Sequence, residues 1–407
     1  MKKIVSAYVN FPLILRIAIG LVVGIGLGLL LPEDSFVSVF GEIFVGALKA
    51  IAPLLVFVLV IASLSKAGKG IGKRFGTLIF FYMVSTFLAA AVAVIATYIF
   101  PITITLAEGT TNSAPSGLGE VFRVLLGNMI KNPLSSIIEG NYVGILTWSI
   151  ILGLALRRVA DEKTKEMLAN LSDAVSMVVG WVIQLAPFGI MGLVFSSVSE
   201  YGLDIFADYG KLLLLLVGCM LAVALIVDPL IVGLALRRNP YPLVLRCFKE
   251  SGITAFFTRS SAANIPVNMS LCEKLGLDRE YYSVAIPLGA TINMDGAAIT
   301  ITIMSLVAAF SQGIEVNIFI AILLAFVATL GACGASGVAG GSLLLIPMAC
   351  SLLNVGQDVA MQMVGVGFIV GIVQDSLETA INSSGDVLFC VTAEYRERLK
   401  KGEEINL

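Results

Sequence analysis

Five polar side chains lie on one stripe of the last long apolar segment of the sequence. At 100° per residue, Asp375, Glu378, Thr379, Asn382 and Asp386 fall within about 100° of one another on a helix. Carboxylates are costly inside a membrane unless they face cations or water, so ionisable groups at this depth indicate a functional site. The stripe therefore predicts a site for a cation or a charged solute, although a surface-lying or internally paired helix would show the same pattern.

A second polar cluster, residues 293–296 (Asn-Met-Asp-Gly), interrupts the apolar segment 283–310. Glycine weakens a helix, so we expect the helix to break here and to resume at Ala297, with free carbonyl groups that could coordinate a hard cation. The oxygen donors of this cluster and of the stripe are Asn293, Asp295, Asn382 and Asp386. Such donors suit sodium better than a soft metal. The alternative is a kinked packing contact.

Two further segments, 243–276 and 318–354, are apolar at both ends and rich in helix breakers at the centre. The first centre is residues 258–261 (Thr-Arg-Ser-Ser), and the second runs from Gly331 to Ser342. Each arm is too short to cross a bilayer, and non-helical backbone at membrane depth needs protein or water around it. Both segments are therefore predicted to be re-entrant helical hairpins, the first entered from the cytoplasm and the second from outside.

Each hairpin precedes a span that carries one of the polar clusters, and the two units together form an inverted repeat. Sites in folds of this kind lie near the midplane, where broken helices meet. A helix N-terminus just past Ser261 would offer free N–H groups to a carboxylate. The glycines of the second tip allow close backbone approach and hinge motion, so we expect this tip to act as a gate.

The elements that position these residues follow from the composition. Of the 407 residues, 58% are apolar and only 13% are charged, against roughly 25% charged in soluble domains. About 20 apolar residues cross a bilayer as a helix. Eight segments have that character: 12–31, 41–63, 76–100, 141–156, 175–199, 211–236, 283–310 and 358–391. The predicted fold class is an all-α polytopic membrane protein with eight transmembrane helices, two re-entrant helical hairpins and inverted repeats.

Lys and Arg cluster in alternate loops. They are absent from the other loops, which are 32–40, 101–118, 200–210 and 312–317. This alternation obeys the positive-inside rule and predicts that both termini are cytoplasmic. The first apolar run ends without a small-residue cleavage site, so we expect an uncleaved first span rather than a signal peptide. The net charge of −2 indicates no nucleic-acid partner, and the lack of histidine argues against a zinc site.

The other predicted spans contain few polar residues. Tyr82, Ser85 and Thr86 in the third span could add ion-ligating oxygens, or could be ordinary packing residues. Asp228 in the sixth span is also buried by depth. The sequence gives it no role beyond pairing with a cation or lying near water.

With these stretches in view, the chain resembles the dicarboxylate/amino acid:cation symporter family, and within it the serine/threonine:sodium symporters. The similarity runs nearly end to end and is most specific in residues 258–266, in 289–296 and in the last span. It implies a homotrimer in the bacterial inner membrane, surrounded by lipid, that co-transports sodium ions and works as an elevator. The implied parts are a scaffold (1–75 and 103–204), a moving transport domain (76–102 and 205–395) and a cytoplasmic tail (396–407).

The resemblance also implies roles for individual residues. Asp375 would hold the α-ammonium group of an amino acid, and Asn382 with the backbone of Ser260 and Ser261 would hold its α-carboxylate. The other implied substrate-binding residues are Arg259, Ala297, Glu378, Thr379, and Gly337 and Val338, which would close over the substrate. The resemblance implies three sodium sites. The first consists of Asn293, Asn382 and Asp386 with the carbonyl of Gly289, and the second of Tyr82, Ser85, Thr86, Asn293 and Asp295. The third consists of Thr291, Met294 and the backbone of Ala332, Cys333 and Ala335.

Two positions depart from the relatives that carry acidic substrates. Those relatives have an arginine where Glu378 stands and a threonine where Ala297 stands, and both groups grip the side-chain carboxylate of the substrate. A carboxylate at Glu378 would repel that group and could accept a hydrogen bond from a hydroxyl. We therefore expect a secondary transporter of serine and threonine rather than of aspartate or glutamate. Glu378 could instead pair with Arg259.

Several alternatives stay open at this point, and we expect no enzyme among them. Sodium-coupled transport of acidic or of other small neutral amino acids fits the same pattern. An intramembrane aspartyl protease could use Asp295 and Asp386, but it would leave the hairpin tips and most of the stripe unused. A pore would need rings of like residues along a continuous lining, which the sequence lacks.

Overall fold

The computed structural model describes residues 11–32, 35–66, 73–106, 126–333, 340–403 and 405. Within this part of the chain there are helices and turns and no β-strand. The long apolar runs explain this, because a helix satisfies its own backbone hydrogen bonds where lipid offers none. The predicted all-helical architecture is confirmed at this level.

The helices have the following bounds in chain order: α1 (Leu13–Leu30), α2 (Ser38–Lys66), α3 (Lys73–Ile99), α4 (Pro133–Glu139), α5 (Tyr142–Val159), α6 (Glu162–Gln184), α7 (Ala186–Tyr201), α8 (Ile205–Leu236), α9 (Tyr241–Cys247, Phe248–Gly252 and Ile253–Thr258), α10 (Ser261–Lys274), α11 (Arg279–Ile292), α12 (Asp295–Ser311), α13 (Ile318–Ala332), α14 (Ile346–Leu352) and α15 (Gln357–Lys400). The middle parts of α8 and α9, Val223–Val227 and Phe248–Gly252, are π-helical.

Six stretches of the described chain are long and apolar enough to cross a membrane. They are Ser38–Ala62, Arg74–Ile99, Glu162–Gln184, Ile205–Leu236, Arg279–Ser311 and Gln357–Lys400. The predicted first and fourth spans correspond to α1 and α5, which have 18 residues each. At 1.5 Å per residue, 18 residues extend about 27 Å, close to the thickness of the hydrocarbon core.

The fifth span differs from its prediction as one segment at 175–199. The helix begins earlier, at Glu162, because the side chain of Asp161 caps it by accepting a hydrogen bond from the N–H of Thr164 at 2.8 Å. It then turns at Leu185, just before Pro187, so that α6 and α7 are two helices. Inside a continuous helix, a proline lacks the N–H for a backbone hydrogen bond, and its ring clashes with the preceding turn. This explains why the helix is interrupted just before Pro187.

One packed group consists of α1, α2, α5, α6 and α7. Within it, α1 carries glycine at every fourth position along the face that contacts α7. A Cβ atom added to Gly20 would lie 2.1 Å from the carbonyl oxygen of Pro187, and one added to Gly24 would lie 2.6 Å from that of Met191. Small residues at this spacing let membrane helices approach backbone to backbone.

A second group is built around α15, which contacts α3, α8, α10, α11, α12 and α14. Every residue of α15 from Gln374 to Tyr395 is buried. The side opposite the polar stripe is therefore covered by protein as well, and Ile381 is only 1% exposed. This central position lets the polar side chains of α15 meet residues from several helices at once.

Both predicted hairpins contain a break between two packed helices. In the first, α9 ends at Thr258, Arg259 adopts a left-handed conformation with φ of 51°, and α10 begins at Ser261. In the second, α13 and α14 contact each other. Most of the second tip, residues 334–339, lies outside the described part of the chain.

Candidate ion and substrate site

The break between α11 and α12 is where predicted, since only Asn293 and Met294 separate the two helices. The second helix resumes at Asp295 and not at Ala297, so the expected restart was wrong. Gly296 lies in its first turn, where an added Cβ atom would be 2.8 Å from Cα of Glu378 in α15. Glycine is thus needed for the close approach of two helices rather than to weaken one.

Asp386 lies beside this break and is fully buried in α15. The side-chain amide of Asn293 donates to Oδ1 of Asp386 at 3.3 Å and to the carbonyl of Asn382 at 3.1 Å. The hydroxyl of Tyr82 donates to the carbonyl of Asp386 at 3.1 Å. Gly289 completes the cluster, because a Cβ atom there would lie 2.8 Å from Oδ1 of Asp386.

Two oxygen atoms of this cluster have no partner among the described residues. Oδ1 of Asn293 and Oδ2 of Asp386 are buried and accept no hydrogen bond from any described residue. A buried acceptor left unsatisfied costs about 1–3 kcal/mol, and more when it is charged. The described residues contain no group of three His, Cys, Asp or Glu that could hold a metal ion. The cluster instead combines carboxylate, amide and carbonyl oxygens, which fit a hard monovalent cation such as sodium.

The polar residues of α3 face a second carboxylate. Thr86 donates to Oδ1 of Asp295 at 2.8 Å. The hydroxyl of Ser85 contacts Oδ2 of Asp295 and lies 3.0 Å from Oδ1 of Asp228. All four residues are buried, so the α3 hydroxyls belong to the polar cluster rather than to ordinary packing. Asp228, for which the sequence indicated no role, is part of the same cluster.

The third implied sodium set is only partly described. The thiol of Cys333 donates to the carbonyl of Ile292 at 3.6 Å, which brings the end of α13 to the break between α11 and α12. The hydroxyl of Thr291 donates to the carbonyl of Leu288 in its own helix at 2.7 Å. Met294 and Ala332 are buried next to these residues in the chain. Ala335, Gly337 and Val338 lie outside the described residues.

Asp375 in α15 is paired with a cation from the first hairpin. Nη2 and Nε of Arg259 lie 2.5 Å and 2.6 Å from its Oδ2. The backbone N–H of Gly340, in the second hairpin, donates to its Oδ1 at 3.3 Å. The two hairpins therefore meet α15 at one carboxylate. The alternative pairing of Arg259 with Glu378 is wrong, because neutral donors surround the latter.

The oxygen Oε2 of Glu378 accepts three hydrogen bonds. The donors are the hydroxyl of Thr300 at 2.8 Å, the hydroxyl of Ser342 at 2.9 Å and the side-chain amide of Gln374 at 2.5 Å. They come from α12, from the second hairpin and from the preceding turn of α15. This buried carboxylate is thus held in one orientation by three separate elements.

The remaining predicted substrate-binding residues are near these groups. Ser260 caps α10 by accepting a hydrogen bond from the N–H of Ala263 at 3.2 Å, so the predicted helix N-terminus is confirmed. The side-chain oxygen of Asn382 accepts a hydrogen bond from the N–H of Gly296 at 2.8 Å. Among the described residues, its amide group donates to the sulfur of Met294 alone, a weak acceptor at 3.4 Å. Thr379 donates within its own helix at 2.7 Å, and Ala297 is fully buried.

Three residues were missed by sequence reasoning: Thr300, Ser342 and Gln374. Gln374 is one turn before Glu378, and Thr300 is one turn after Gly296, so extending the helical projection to these turns would have indicated both. For Ser342 no signal exists, because it follows a glycine-rich tip whose course the sequence does not determine.

Comparison with known proteins adds to this geometry. A profile of the Sodium:dicarboxylate symporter family matches residues 13–395. The chain is 57% identical over 405 residues, 99% of its length and 94% of the relative's, to a protein from Bifidobacterium adolescentis named serine/threonine transporter SstT. Proteins of the same name from Streptococcus agalactiae and Streptococcus thermophilus are 56% and 54% identical, over 97% and 98% of this chain and 98% and 100% of their own.

Proposed function

Because the chain belongs to the Sodium:dicarboxylate symporter family, we propose that it imports serine and threonine together with sodium ions. The observation that carries the ion coupling is the pair of buried, unpartnered oxygens on Asn293 and Asp386. Oxygens in this state need a cation or a donor, and none of the described residues supplies one. The names of the relatives support the choice of substrate.

The chain is a transporter and not an enzyme, since the family is one of symporters and the relatives are named as transporters. The intramembrane protease considered above is therefore excluded. Asp295 is also surrounded by the hydroxyls of Ser85 and Thr86, an arrangement that suits ion binding. A pore has no support in the family assignment either.

For sodium, we assign one ion to Asn293, Asn382 and Asp386 with the carbonyl of Gly289. A second ion would lie among Tyr82, Ser85, Thr86, Asn293 and Asp295, and a third near Thr291, Met294 and the backbone of Ala332, Cys333 and Ala335. Support is strongest for the first two sites, because their buried oxygens converge from α3, from α15 and from the break between α11 and α12. Hard oxygen ligands of this kind favour sodium over softer metals.

For the substrate, we assign Asp375 to the α-ammonium group and the amide of Asn382 to the α-carboxylate. Asn382 is suited to this because its side-chain oxygen already accepts a hydrogen bond from the N–H of Gly296. The N–H groups of its side chain can therefore donate to the substrate. The backbone at Ser260 and Ser261 would add donors at the start of α10. The guanidinium of Arg259 has to leave Asp375 before an ammonium group can bind there, so Arg259 acts as a tethered counter-ion for the empty site.

Selectivity for small neutral amino acids would follow from Glu378. A second carboxylate in the substrate would meet this buried acidic side chain and be repelled. We expect a large excess of unlabelled threonine to block uptake of labelled serine and the same excess of aspartate to leave it nearly unchanged. Strong competition by aspartate would contradict the assignment of Glu378 and leave an acidic amino acid as the substrate.

We also propose the architecture in which these sites operate. It has eight transmembrane helices, including α1 and α5, and two re-entrant hairpins. The protein would lie in the bacterial inner membrane, with both termini in the cytoplasm. A scaffold of 1–75 and 103–204 would hold a transport domain of 76–102 and 205–395 that slides as an elevator in each subunit of a homotrimer. The two packed groups of helices described above support this division.

The experiment that tests the function is uptake of labelled serine into proteoliposomes under an inward sodium gradient. Serine should accumulate against its own gradient, and replacing sodium with choline outside should abolish the accumulation. Uptake that equilibrates without concentrating would indicate a pore-like path, and uptake independent of sodium would contradict the proposed coupling.

A further inference from the structure

Building on the function proposed above, we propose that Gln374, Thr300 and Ser342 form with Glu378 a recognition site for the β-hydroxyl group of the substrate. In this site Glu378 contacts the substrate hydroxyl. The other three are positioning residues, which determine specificity through their hydrogen bonds to Glu378. None of the three is among the residues that the sequence indicated.

The first argument concerns how the donors are distributed. All three donate to the same oxygen, Oε2 of Glu378, and the amide of Gln374 also donates to the hydroxyl oxygen of Thr300 at 2.8 Å. Among the described residues, no donor reaches the other oxygen, Oε1. Hydrogen bonds to a carboxylate are stronger than those between neutral groups, so this arrangement fixes the orientation of Glu378. Oε1 is thereby left as an acceptor in a fixed position.

The second argument is an acceptor without a donor. Gln374 is fully buried, and its Oε1 accepts no hydrogen bond from any described residue. The cluster therefore offers two acceptors, Oε1 of Gln374 and Oε1 of Glu378, to which no described residue donates. A ligand with a hydroxyl group brings one hydrogen and satisfies one of these acceptors. One that brings a carboxylate adds further acceptors, and one that brings only a methyl group leaves the acceptors unsatisfied.

The third argument is position. Glu378 follows Asp375 by three residues on α15, so the two side chains are neighbours on one helix face, with Cβ atoms roughly 5–6 Å apart. The ammonium and hydroxyl groups of serine and threonine sit on adjacent carbon atoms and can contact both carboxylates together. Sites built to bind a hydroxyl reject analogues that lack it far more strongly than apolar pockets reject an added one. Alanine, which lacks only this hydroxyl relative to serine, is therefore the informative competitor.

The test measures competition of labelled serine uptake by unlabelled serine, threonine and alanine in proteoliposomes. The variants are Gln374→Met, which keeps the volume and removes the donor, and Ser342→Ala. Each should lower the preference for serine over alanine by about 10-fold, the effect of losing one hydrogen bond to a charged group. Ser342→Thr keeps the hydroxyl and should restore the preference.

Ser376→Ala is the matched control, because among the described residues this buried serine donates to the carbonyl of Ile372 in its own helix alone, at 2.9 Å. It should keep the wild-type preference. A purely structural role of Gln374 or Ser342 would reduce uptake while leaving the ratio of serine to alanine unchanged, and that result would overturn the inference. If wild-type protein failed to take up serine, the proposed function itself would fall, so the two failures are distinguishable.

Discussion

Asp386 combines complete burial with a carboxylate oxygen that no described residue satisfies. Among the described residues, its other oxygen accepts a hydrogen bond from the amide of Asn293 alone, at the long distance of 3.3 Å. Leaving a buried charge uncompensated typically costs several kcal/mol, so such a residue is retained only where a cation neutralises it for part of the working cycle. This makes Asp386 the residue whose loss should affect sodium most.

Asp386→Asn should raise the sodium concentration for half-maximal serine uptake by about 10-fold or more, since it removes a charged ligand whose interaction is worth at least about 1.4 kcal/mol. Uptake should be measured against sodium concentration at matched amounts of reconstituted protein. Glu315→Gln is a control that removes a carboxylate from an exposed loop. An unchanged sodium dependence in the Asp386 variant would rule out the assigned ion site.

At the scale of elements, the site exists because two helices touch at a glycine. In the first turn of α12, a Cβ atom at Gly296 would lie 2.8 Å from Cα and 3.0 Å from the carbonyl oxygen of Glu378. Both contacts are with backbone, which cannot rotate away as a side chain can. The spacing of α12 and α15, and with it the approach of Thr300 to Glu378, therefore depends on this residue.

Gly296→Ala should destabilise the protein by about 1–3 kcal/mol, as overpacking does elsewhere, and should lower serine affinity as well. Thermal unfolding of the purified protein in detergent measures the first effect, and serine competition measures the second. Gly218→Ala in α8 is the matched control, because no atom lies within 4 Å of the added Cβ position. Equal unfolding temperatures for the Gly296 variant and the wild type would contradict this packing.

The sequence predicts these elements well where a pattern is local. The break after Ile292, the helix start at Ser261 and the polar face of α15 all come from residue order alone. Contacts between distant elements are a different matter. The pairing of Arg259 with Asp375 rather than Glu378, and the position of Asp228 beside Ser85, depend on how helices pack, and helical periodicity carries no information about that.

At the scale of the whole molecule, side chains of the two groups of helices contact each other. Lys49 of α2 pairs with Asp358 of α15 at 2.8 Å, and the rings of Phe44 and Phe368 lie 5.2 Å apart. Leu193 of α7 is close to Gly365, where an added Cβ atom would lie 3.2 Å from its Cδ1. An elevator has to break such contacts during each cycle.

Cross-linking Leu193→Cys to Gly365→Cys should therefore stop serine uptake, and reduction should restore it. The positions are near enough for a disulfide or a mercury bridge. The controls are the single variants Leu193→Cys and Gly365→Cys, treated with the same oxidant or mercury reagent. Each has only one of the two thiols at this contact, so each should keep its uptake. Full transport by the cross-linked pair would exclude sliding of one group along the other.

The most direct test of sodium coupling is to measure serine binding to the purified wild-type protein by calorimetry, once in sodium and once in potassium. If buried oxygens on Asn293 and Asp386 take up sodium next to the substrate site, each ligand must strengthen the binding of the other by the same factor. Serine should then bind at least about 10-fold more tightly when sodium replaces potassium, a coupling of about 1.4 kcal/mol. Equal serine affinity in the two salts would contradict the coupling.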